Sequence, residues 1–301
     1  MSIIKRIAIF LSAASLAVTG IISCEKEPDT ETPVPVESVS LDKNALAIVL
    51  GIDETKTLTA TVYPETATDK TVKWESADPE TASVDENGVV KGLSAGETVI
   101  FAITEDGGKT ARCDVSVLEA LSGHGYVDLG LSVSWAACNV GADSPEEYGD
   151  YFAWGEITPK DEYTEENVIE IDNDIISITG SEEYDAARAI WGAPWQLPTK
   201  VQVEELLEKG EWEWTEMNGC RGCKVTGPNG NSIFLPAAGE IQGSSLLEEG
   251  SCGSYWTGER WSHMLDYGEH LFINGDANYF DNIGMPRFYG ASVRPVVGPA
   301  E

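Results

Sequence analysis

Two cysteines separated by two residues are the feature of this sequence that most invites a chemical interpretation. A Cys-x-x-Cys pair such as Cys220 and Cys223 acts as a redox site when a helix N-terminus lowers the pKa of one thiol. This pair instead precedes a predicted strand, Lys224–Thr226, which does not favour redox chemistry. A zinc site would need two further ligands, and His263 and His270 do not have the spacing of a zinc finger.

The residue types favour a structural disulfide, which persists in an oxidising compartment. Either Cys220 pairs with Cys223, or one of the two pairs with Cys252 or Cys138, and the sequence leaves this connectivity open. Cys113 falls on the inward face of a predicted strand. We therefore expect it to be a buried and unreactive thiol.

The histidines give little support for acid–base catalysis. His124, His263 and His270 are accompanied by neither a Gly-x-Ser-x-Gly elbow nor a His-Glu-x-x-His helix. The chain has 51 Asp and Glu residues, so paired carboxylates arise by chance at any spacing. We expect no catalytic residues, no metal and no cofactor, and hence a protein that is not an enzyme.

Aromatic residues are concentrated between Tyr255 and Tyr289, where they alternate with Gly, Asn, Asp and His. Aromatic rings beside polar groups suit sugar stacking or protein contact, because they bury a large area at little entropic cost. Some of these rings are needed for the domain core. Trp261, Tyr267, Asn278 and Tyr279 have polar neighbours, so we predict that these four residues are exposed and bind a ligand.

The elements that must position these residues begin with a run of short strands. Over residues 37–118, apolar and polar residues alternate, as is typical of half-buried strands. Asn87-Gly88 predicts a hairpin turn, and about seven strands favour a β-sandwich. The segments Trp74–Gly88 and Val90–Ile100 resemble the group 2 bacterial immunoglobulin-like domain. That resemblance implies a stalk or spacer in a surface protein or adhesin.

A second domain is predicted over residues 124–297, after a short link at 119–123. It holds eight of the nine tryptophans, Trp74 being the other. Ser181 and Thr199 each predict a helix N-cap, Thr199 as part of a capping box whose helix stops at Gly210. Two small helices followed by irregular β structure indicate an α+β domain.

Six motifs occur in order in this second half: Tyr126–Val133, Trp135–Ala142, Glu147–Glu156, Trp195–Thr199, Phe234–Gly239 and Ser292–Pro295. Together they resemble the Fibrobacter succinogenes major paralogous domain, which is similar to the C-type-lectin-like fold. The resemblance implies that the first and last strands pair and that a long-loop region faces the ligand. The tripeptides Glu-Pro-Asn, Gln-Pro-Asp and Trp-Asn-Asp of calcium-dependent lectins are absent from the sequence, which argues against calcium-bridged sugar binding.

The N-terminus has the layout of a secretory signal. Lys5 and Arg6 precede an apolar run, Ile7–Val18, that is too short to span a membrane comfortably. Ile21–Cys24 resembles the lipobox of bacterial lipoproteins, which implies that residues 1–23 are a lipoprotein signal peptide. Cys24 would then be lipidated. An ordinary signal peptide cut elsewhere is the alternative.

Residues 24–36 are acidic and rich in proline, as expected of an extended tether. They also resemble the surface-export signals of Bacteroidetes lipoproteins, which favours display on the outer face of the outer membrane over the alternative, the periplasmic face. Loss of Lys5 and Arg6 leaves 17 basic residues against 51 acidic ones, a net charge of −34. Such a charge repels nucleic acids and anionic lipids, which are poor candidates as partners. No second hydrophobic run approaches spanning length, so we expect membrane contact through the anchor alone.

The sequence therefore predicts a mostly β, multidomain protein with an immunoglobulin-like β-sandwich and a C-terminal α+β, C-type-lectin-like domain. We expect a surface-anchored, non-enzymatic binding or adhesion lipoprotein whose partner is a glycan or a surface protein. A structural component of a surface appendage is the alternative, and a glycan-acting hydrolase is a third.

Overall fold

The computed structural model describes residues 32–52, 54–275 and 284–298, and the backbone of 278–280. Cys24, the predicted signal peptide and most of the predicted tether lie outside the described residues. From Val34 onward the chain forms one compact unit. It is mostly β and multidomain, as the sequence predicted.

The N-terminal half is an immunoglobulin-like sandwich. Its strands are β1 Ser38–Leu41, β2 Ala45–Val49, β3 Thr55–Thr57, β4 Ala60–Tyr63, β5 Val72–Ser76, β6 Ala82–Val84, β7 Val89–Gly92, β8 Gly96–Thr104 and β9 Thr110–Leu121. One sheet has the order β2-β9-β8-β5, with β2 parallel to β9, and the opposite layer holds the pair β1-β4 and the sheet β3-β7-β6.

The core of this sandwich is built from the alternation seen in the sequence. Ile48, Ile100 and Cys113 are fully buried on one sheet and face Leu58 and Val90 of the other layer. Burial of each large aliphatic side chain contributes about 1.5–3 kcal/mol. The predicted hairpin at Asn87-Gly88 is confirmed, because β6 and β7 pair on either side of it.

The predicted link at 119–123 is instead the end of a β-hairpin. β9 continues to Leu121 and pairs with β10 (His124–Val127) of the second half, in the register His124↔Leu121. Ser122 and Gly123 form the turn with φ of 50° and 85°, the left-handed conformation that short hairpin turns need. The two halves therefore share one continuous sheet. The change of composition predicted a short link between domains here, because composition alone does not reveal that a strand continues across the boundary.

A second contact joins the halves at the turn between β13 (Glu211–Met217) and β14 (Cys220–Thr226). The Asn218 amide oxygen accepts hydrogen bonds from the backbone N–H groups of Asn44 and Ala45, at 3.1 and 3.2 Å. In return, the Asn218 backbone N–H donates to the Asn44 side chain at 2.8 Å. Two separated attachments hold the two halves at a fixed angle.

Besides β10, β13 and β14, the C-terminal half contains β11 Ser134–Ala136, β12 Tyr151–Phe152, α1 Ala186–Trp191, α2 Lys200–Lys209, β15 Ser232–Pro236, β16 Glu240–Gln242, β17 Ser245–Leu247, β18 Cys252–Arg260, β19 Tyr267–Asn274, β20 Asn278–Phe280, β21 Met285–Pro286, β22 Ala291–Ser292 and β23 Val296–Val297. Most of these strands form three further sheets, with the orders β12-β22-β18-β19-β20, β13-β14-β15 and β16-β17.

Strands from the two ends of this half meet. β11 pairs with β23, with Trp135 opposite Val296, and both strands extend the shared sheet. The last strand therefore pairs with the second strand of this half, whereas the resemblance implies pairing with the first, β10, which lies between β9 and β11. Two cores lie on either side of the β11–β23 pair, one of which also contains Leu118 of β9, with Val49 of β2 packed against it.

Each of the two helices begins at an N-cap residue whose side chain accepts a hydrogen bond from the backbone of the first turn. Thr199 forms the predicted capping box with Gln202 at the start of α2. Ser181 is not the cap of α1, because Asp185 occupies that position. The buried Asp185 carboxylate accepts hydrogen bonds from the backbone N–H groups of Gly180, Arg188 and Leu197, at 2.7–3.1 Å. Burial raises the pKa of the Asp185 carboxyl, and these hydrogen bonds act in the opposite direction by stabilising the carboxylate.

Arg294 joins three of the six sequence motifs. Its guanidinium is 1% exposed and donates to the Asn139 side chain at 2.8 Å. It also donates to the carbonyls of Ala136, Ala137 and Phe234, at 3.1, 2.8 and 3.0 Å. All four acceptors are neutral, so this arginine closes a hydrogen-bond network between segments that are far apart in the chain.

Candidate functional site

The tip loop, Trp261–Tyr267, connects β18 to β19 at the end of their hairpin. The pairing of these strands is irregular between Trp256 and Arg260, so β18 gains residues relative to β19 and bends. The bent end pairs with a neighbouring segment, where the Arg260 N–H donates to the Ile176 carbonyl at 2.9 Å. On the other side, β21 pairs with β19 from Tyr267 onward. The loop is therefore supported on both flanks.

Trp261 and Tyr267 lie together on this loop and are both half-buried. Their ring centroids are 5.7 Å apart, and the His263 ring stands edge-on to Trp261 at 5.1 Å. The backbone N–H of Trp261 donates a hydrogen bond to the backbone carbonyl of Tyr267 at 2.9 Å, which closes the loop. At the apex, Met264 and Leu265 are each 50% exposed. Two of the four predicted ligand residues thus share one surface with two aliphatic side chains that the sequence argument did not single out.

Asn278 and Tyr279 lie elsewhere. They belong to β20, where Tyr279 is opposite Phe272 and Asn278 is opposite Ile273. Phe272 is five residues beyond Tyr267 along β19, which corresponds to roughly 17 Å. The side chains of Asn278 and Tyr279 lie outside the described residues. The four predicted residues therefore do not form one cluster in the backbone, because the strand separates their positions.

Other aromatic residues of the stretch serve the core. Tyr255 and Trp256 are 2% and 1% exposed, and the Trp256 indole donates to the Phe152 carbonyl at 2.7 Å. The Tyr255 hydroxyl donates to the Pro236 carbonyl. These bonds satisfy the polar ends of buried rings, so both residues hold the sheet beneath the tip loop.

Two buried arginines lie behind the tip loop. Arg260 is 5% exposed, stands over the Trp154 ring at 5.5 Å and donates to the Asn173 side chain at 3.2 Å. Burial, followed by the nearby Arg287 charge, lowers the pKa of Arg260. Arg287 lies 3.7 Å from the Asp266 carboxylate. Both cationic groups face inward, so they anchor the loop and leave its outer surface without positive charge of their own.

A cleft of about 480 Å³ lies between the two halves and is a second candidate site. Its walls are the outer face of β2, β8 and β9 and the facing sheet β13-β14-β15. The Ser232 hydroxyl meets the Glu97 carboxylate across it at 3.1 Å. Charged groups on the walls are Glu97, Arg112, Asp114, Glu146, Glu213, Glu216 and Lys224. No local sequence pattern predicts this cleft, because its walls come from segments more than a hundred residues apart.

The five described cysteines, Cys113, Cys138, Cys220, Cys223 and Cys252, form no disulfide with one another. The structure contains no disulfide between Cys138, Cys220, Cys223 and Cys252. Cys220 and Cys223 lie in β14, where side chains alternate between faces, so residues three apart point in opposite directions. Cys113 is fully buried, and burial raises its pKa to about 12, as expected of an unreactive thiol.

The histidines do not meet. His124 stacks on Trp191 with ring centroids 3.8 Å apart, and burial lowers its pKa. His263 is exposed on the tip loop, whereas His270 is buried in β19. In the described part of the chain, no group of three or more His, Cys, Asp or Glu side chains is arranged to hold a metal ion. No helix among the described residues is long and apolar enough to cross a membrane.

Comparison with known proteins identifies one part of the chain. Residues 35–115 match the model of the family described as bacterial Ig-like domain (group 2). This segment is a bacterial Ig-like domain. Its limits agree closely with the sandwich of β1–β9, and the last strand of the domain is the one that continues into the second half.

Several curated proteins are similar to part of the chain. An Ig-like virion protein of Serratia phage KSP90 is 41% identical over 110 residues, which is 36% of this chain and 42% of that protein. A 3-O-alpha-D-galactosyl-alpha-L-arabinofuranosidase of Bifidobacterium longum is 43% identical over 84 residues, 28% of this chain and 7% of that enzyme. An uncharacterized protein of Clostridium acetobutylicum is 42% identical over 81 residues, 27% of this chain and 20% of that protein. The chain spans less than half the length of each.

Solved structures give weaker likenesses. Domains 4 and 5 of the S-layer protein SbsC are 24% identical, with 29% of this chain and 53% of that chain covered at a TM-score of 0.23. An intimin mutant of EHEC O157:H7 is 10% identical, with 85% of this chain and 96% of that chain covered at a TM-score of 0.22. TM-scores this low do not establish a common arrangement.

Proposed function

We propose that this protein is a non-enzymatic binding or adhesion lipoprotein, anchored through Cys24 and displayed on the surface of the outer membrane. The bacterial Ig-like domain serves as its stalk, and the second half is a C-type-lectin-like domain that carries the ligand-binding surface. The ligand is a glycan or a surface protein. The signal-like N-terminus, the acidic tether and the six motifs of the second half support this proposal.

The junction of the two halves supports a role as a display arm. A strand shared by both domains and the Asn44–Asn218 hydrogen bonds resist bending, whereas two domains on a flexible link would move independently. A stiff junction of this kind keeps the second half in one orientation relative to the Ig-like domain.

The tip loop carries the binding part of the proposal. Trp261 and Tyr267 are grouped beside the exposed Met264 and Leu265 on a hairpin that is supported on both flanks. Grouped aromatic and aliphatic side chains on a rigid support are typical of protein binding surfaces, since they bury area at little entropic cost.

The test is a glycan array and an array of surface proteins, both probed with the full chain. Trp261→Ala and Tyr267→Ala should each weaken the strongest interaction about tenfold, which corresponds to about 1.4 kcal/mol. Leu93→Ala removes an aliphatic side chain that is 48% exposed on the Ig-like domain and should change nothing. The proposal fails if no ligand binds, or if binding survives both tip variants at full strength.

Two other functions compete with binding at the tip loop. A glycan hydrolase would use the interdomain cleft, which offers Glu213, Glu216 and other carboxylates, and would release products from oligosaccharides on the array. Conversion of Glu213 and Glu216 to Gln should then abolish product release. A structural component of an appendage would instead assemble into filaments at high concentration, which light scattering detects.

A further inference from the structure

The outer surface of the tip loop is aliphatic. Met264 and Leu265 are each 50% exposed at the apex. Ile176 is 74% exposed on the segment that pairs with the base of the loop, where its carbonyl accepts a hydrogen bond from the Arg260 backbone N–H. A single exposed aliphatic residue is ordinary in a soluble protein. Two adjacent ones at the apex of a supported loop, with a third on the segment paired to its base, indicate a surface that a partner covers.

The aromatic ring of this surface is poorly placed for a sugar. A sugar stacks on an open ring face, but the backbone of Gly284 lies against the Trp261 ring. A Cβ atom added at Gly284 would be 2.8 Å from two of the indole ring atoms. The rings of His263 and Tyr267 stand at 5.1 and 5.7 Å from the Trp261 centroid. The chain therefore already occupies much of the space around this ring.

The charge at the rim of this surface is negative. The Asp266 side chain is 88% exposed beside Leu265, and the side chain of Arg287, which is 10% exposed, lies 3.7 Å from its carboxylate. Asp172 and Asp174 are exposed in the segment that leads to Ile176, so carboxylates outnumber this one cation. The nearby Arg260 guanidinium is buried under the loop and does not reach this surface. A partner that covers the aliphatic centre would meet carboxylates around it, which favours lysine or arginine at its own rim.

We infer that the tip loop binds a protein segment with aliphatic or aromatic side chains flanked by basic residues, rather than a glycan. This inference rests on the proposed function, since it names the class of ligand for the same surface. The apolar side chains of the partner would pack on Met264, Leu265 and Ile176, and its basic residues would pair with Asp266 and Asp172.

A random library of 12-residue peptides displayed on phage, selected on the immobilised full chain, tests this inference. Enriched peptides should combine large apolar residues with lysine or arginine. Synthetic copies should bind the Met264→Ser/Leu265→Ser double variant at least tenfold more weakly than the unaltered chain. Both changed side chains are half-exposed at a loop apex, so the variant is expected to fold.

A matched control removes apolar surface of equal exposure from the Ig-like domain. Ile52 and Leu93 are 52% and 48% exposed, and the Ile52→Ser/Leu93→Ser variant should bind within about twofold of the unaltered chain. Replacing Asp266 with Asn should weaken binding at low salt, and the difference should shrink as salt screens the pair.

The possible outcomes separate this inference from the proposed function. If oligosaccharides bind and their binding depends on Trp261 and Tyr267 while no peptide is enriched, the protein-ligand inference is wrong and the binding function stands. If enriched peptides bind the double variant as well as the unaltered chain, the tip loop is not their site and the inference fails. If neither peptides nor glycans bind at the tip loop, both fail.

Discussion

Replacement of Arg294 by methionine should destabilise the protein by about 3 kcal/mol. The substitution removes four hydrogen bonds made by a guanidinium that is 1% exposed. It leaves the carbonyls of Ala136, Ala137 and Phe234 without this donor, at a cost of about 1 kcal/mol or more each. The variant also regains part of this free energy, because methionine carries no charge and folding no longer has to take a guanidinium with no carboxylate partner out of water. Burial lowers the pKa of Arg294, in agreement with that desolvation.

Equilibrium unfolding in urea, followed by tryptophan fluorescence, measures the effect. The midpoint should fall by about 1 M at unchanged slope. Arg294→Lys should recover little, since a single ammonium does not reach three chain segments as a planar guanidinium does. Arg221→Met, at an exposed position of β14, is the matched control and should stay within about 0.5 kcal/mol. A loss below 1 kcal/mol for Arg294→Met would refute the idea that this network holds the three motifs together.

Three further outcomes follow from the junction and the thiols. Burial lowers the pKa of His124, so the unfolded chain binds a proton at this residue more readily than the folded chain does. The free energy of unfolding should therefore fall as the pH drops below about 6.5. Urea titrations over that pH range should show a smaller fall for His124→Phe. Gly123→Ala should lower the free energy of unfolding by about 1 kcal/mol, because φ is 85° at this position of the junction turn. Gly298→Ala should leave it unchanged, since a Cβ atom there meets no atom within 4 Å and the backbone is not left-handed. Iodoacetamide should modify the half-exposed Cys220 before the buried Cys113, as mass spectrometry of native protein would reveal, and equal rates would contradict the burial.

Local patterns in the sequence predicted much of the fold. Alternation identified the strands of the sandwich, and Thr199 with Gln202 identified the start of α2, because these signals depend on neighbours within a few residues. Ser181 misled for the same reason. Its hydroxyl does accept hydrogen bonds locally, but the buried Asp185 is fixed by Leu197, which lies twelve residues away.

The junction and the site depend on contacts that no local pattern reveals. Ser122-Gly123 is a turn only because Leu121 and His124 pair, and the change of composition around it suggested a link instead. Polar neighbours in the sequence predicted that Trp261, Tyr267, Asn278 and Tyr279 are exposed, but they carry no information on which of these residues lie together. Trp261 and Tyr267 are half-buried with their rings 5.7 Å apart, and the strand pairing of β19 separates them from Asn278 and Tyr279.

Hydrogen–deuterium exchange of the full chain, measured with and without the strongest array ligand, locates the ligand-binding surface. If this surface is the tip loop, bound ligand should slow exchange in peptides that cover Trp261–Tyr267 and Ile176, and leave Glu213–Met217 in the interdomain cleft unchanged. Protection of the cleft with an unchanged tip loop would show that the ligand binds in the cleft and not at the tip loop.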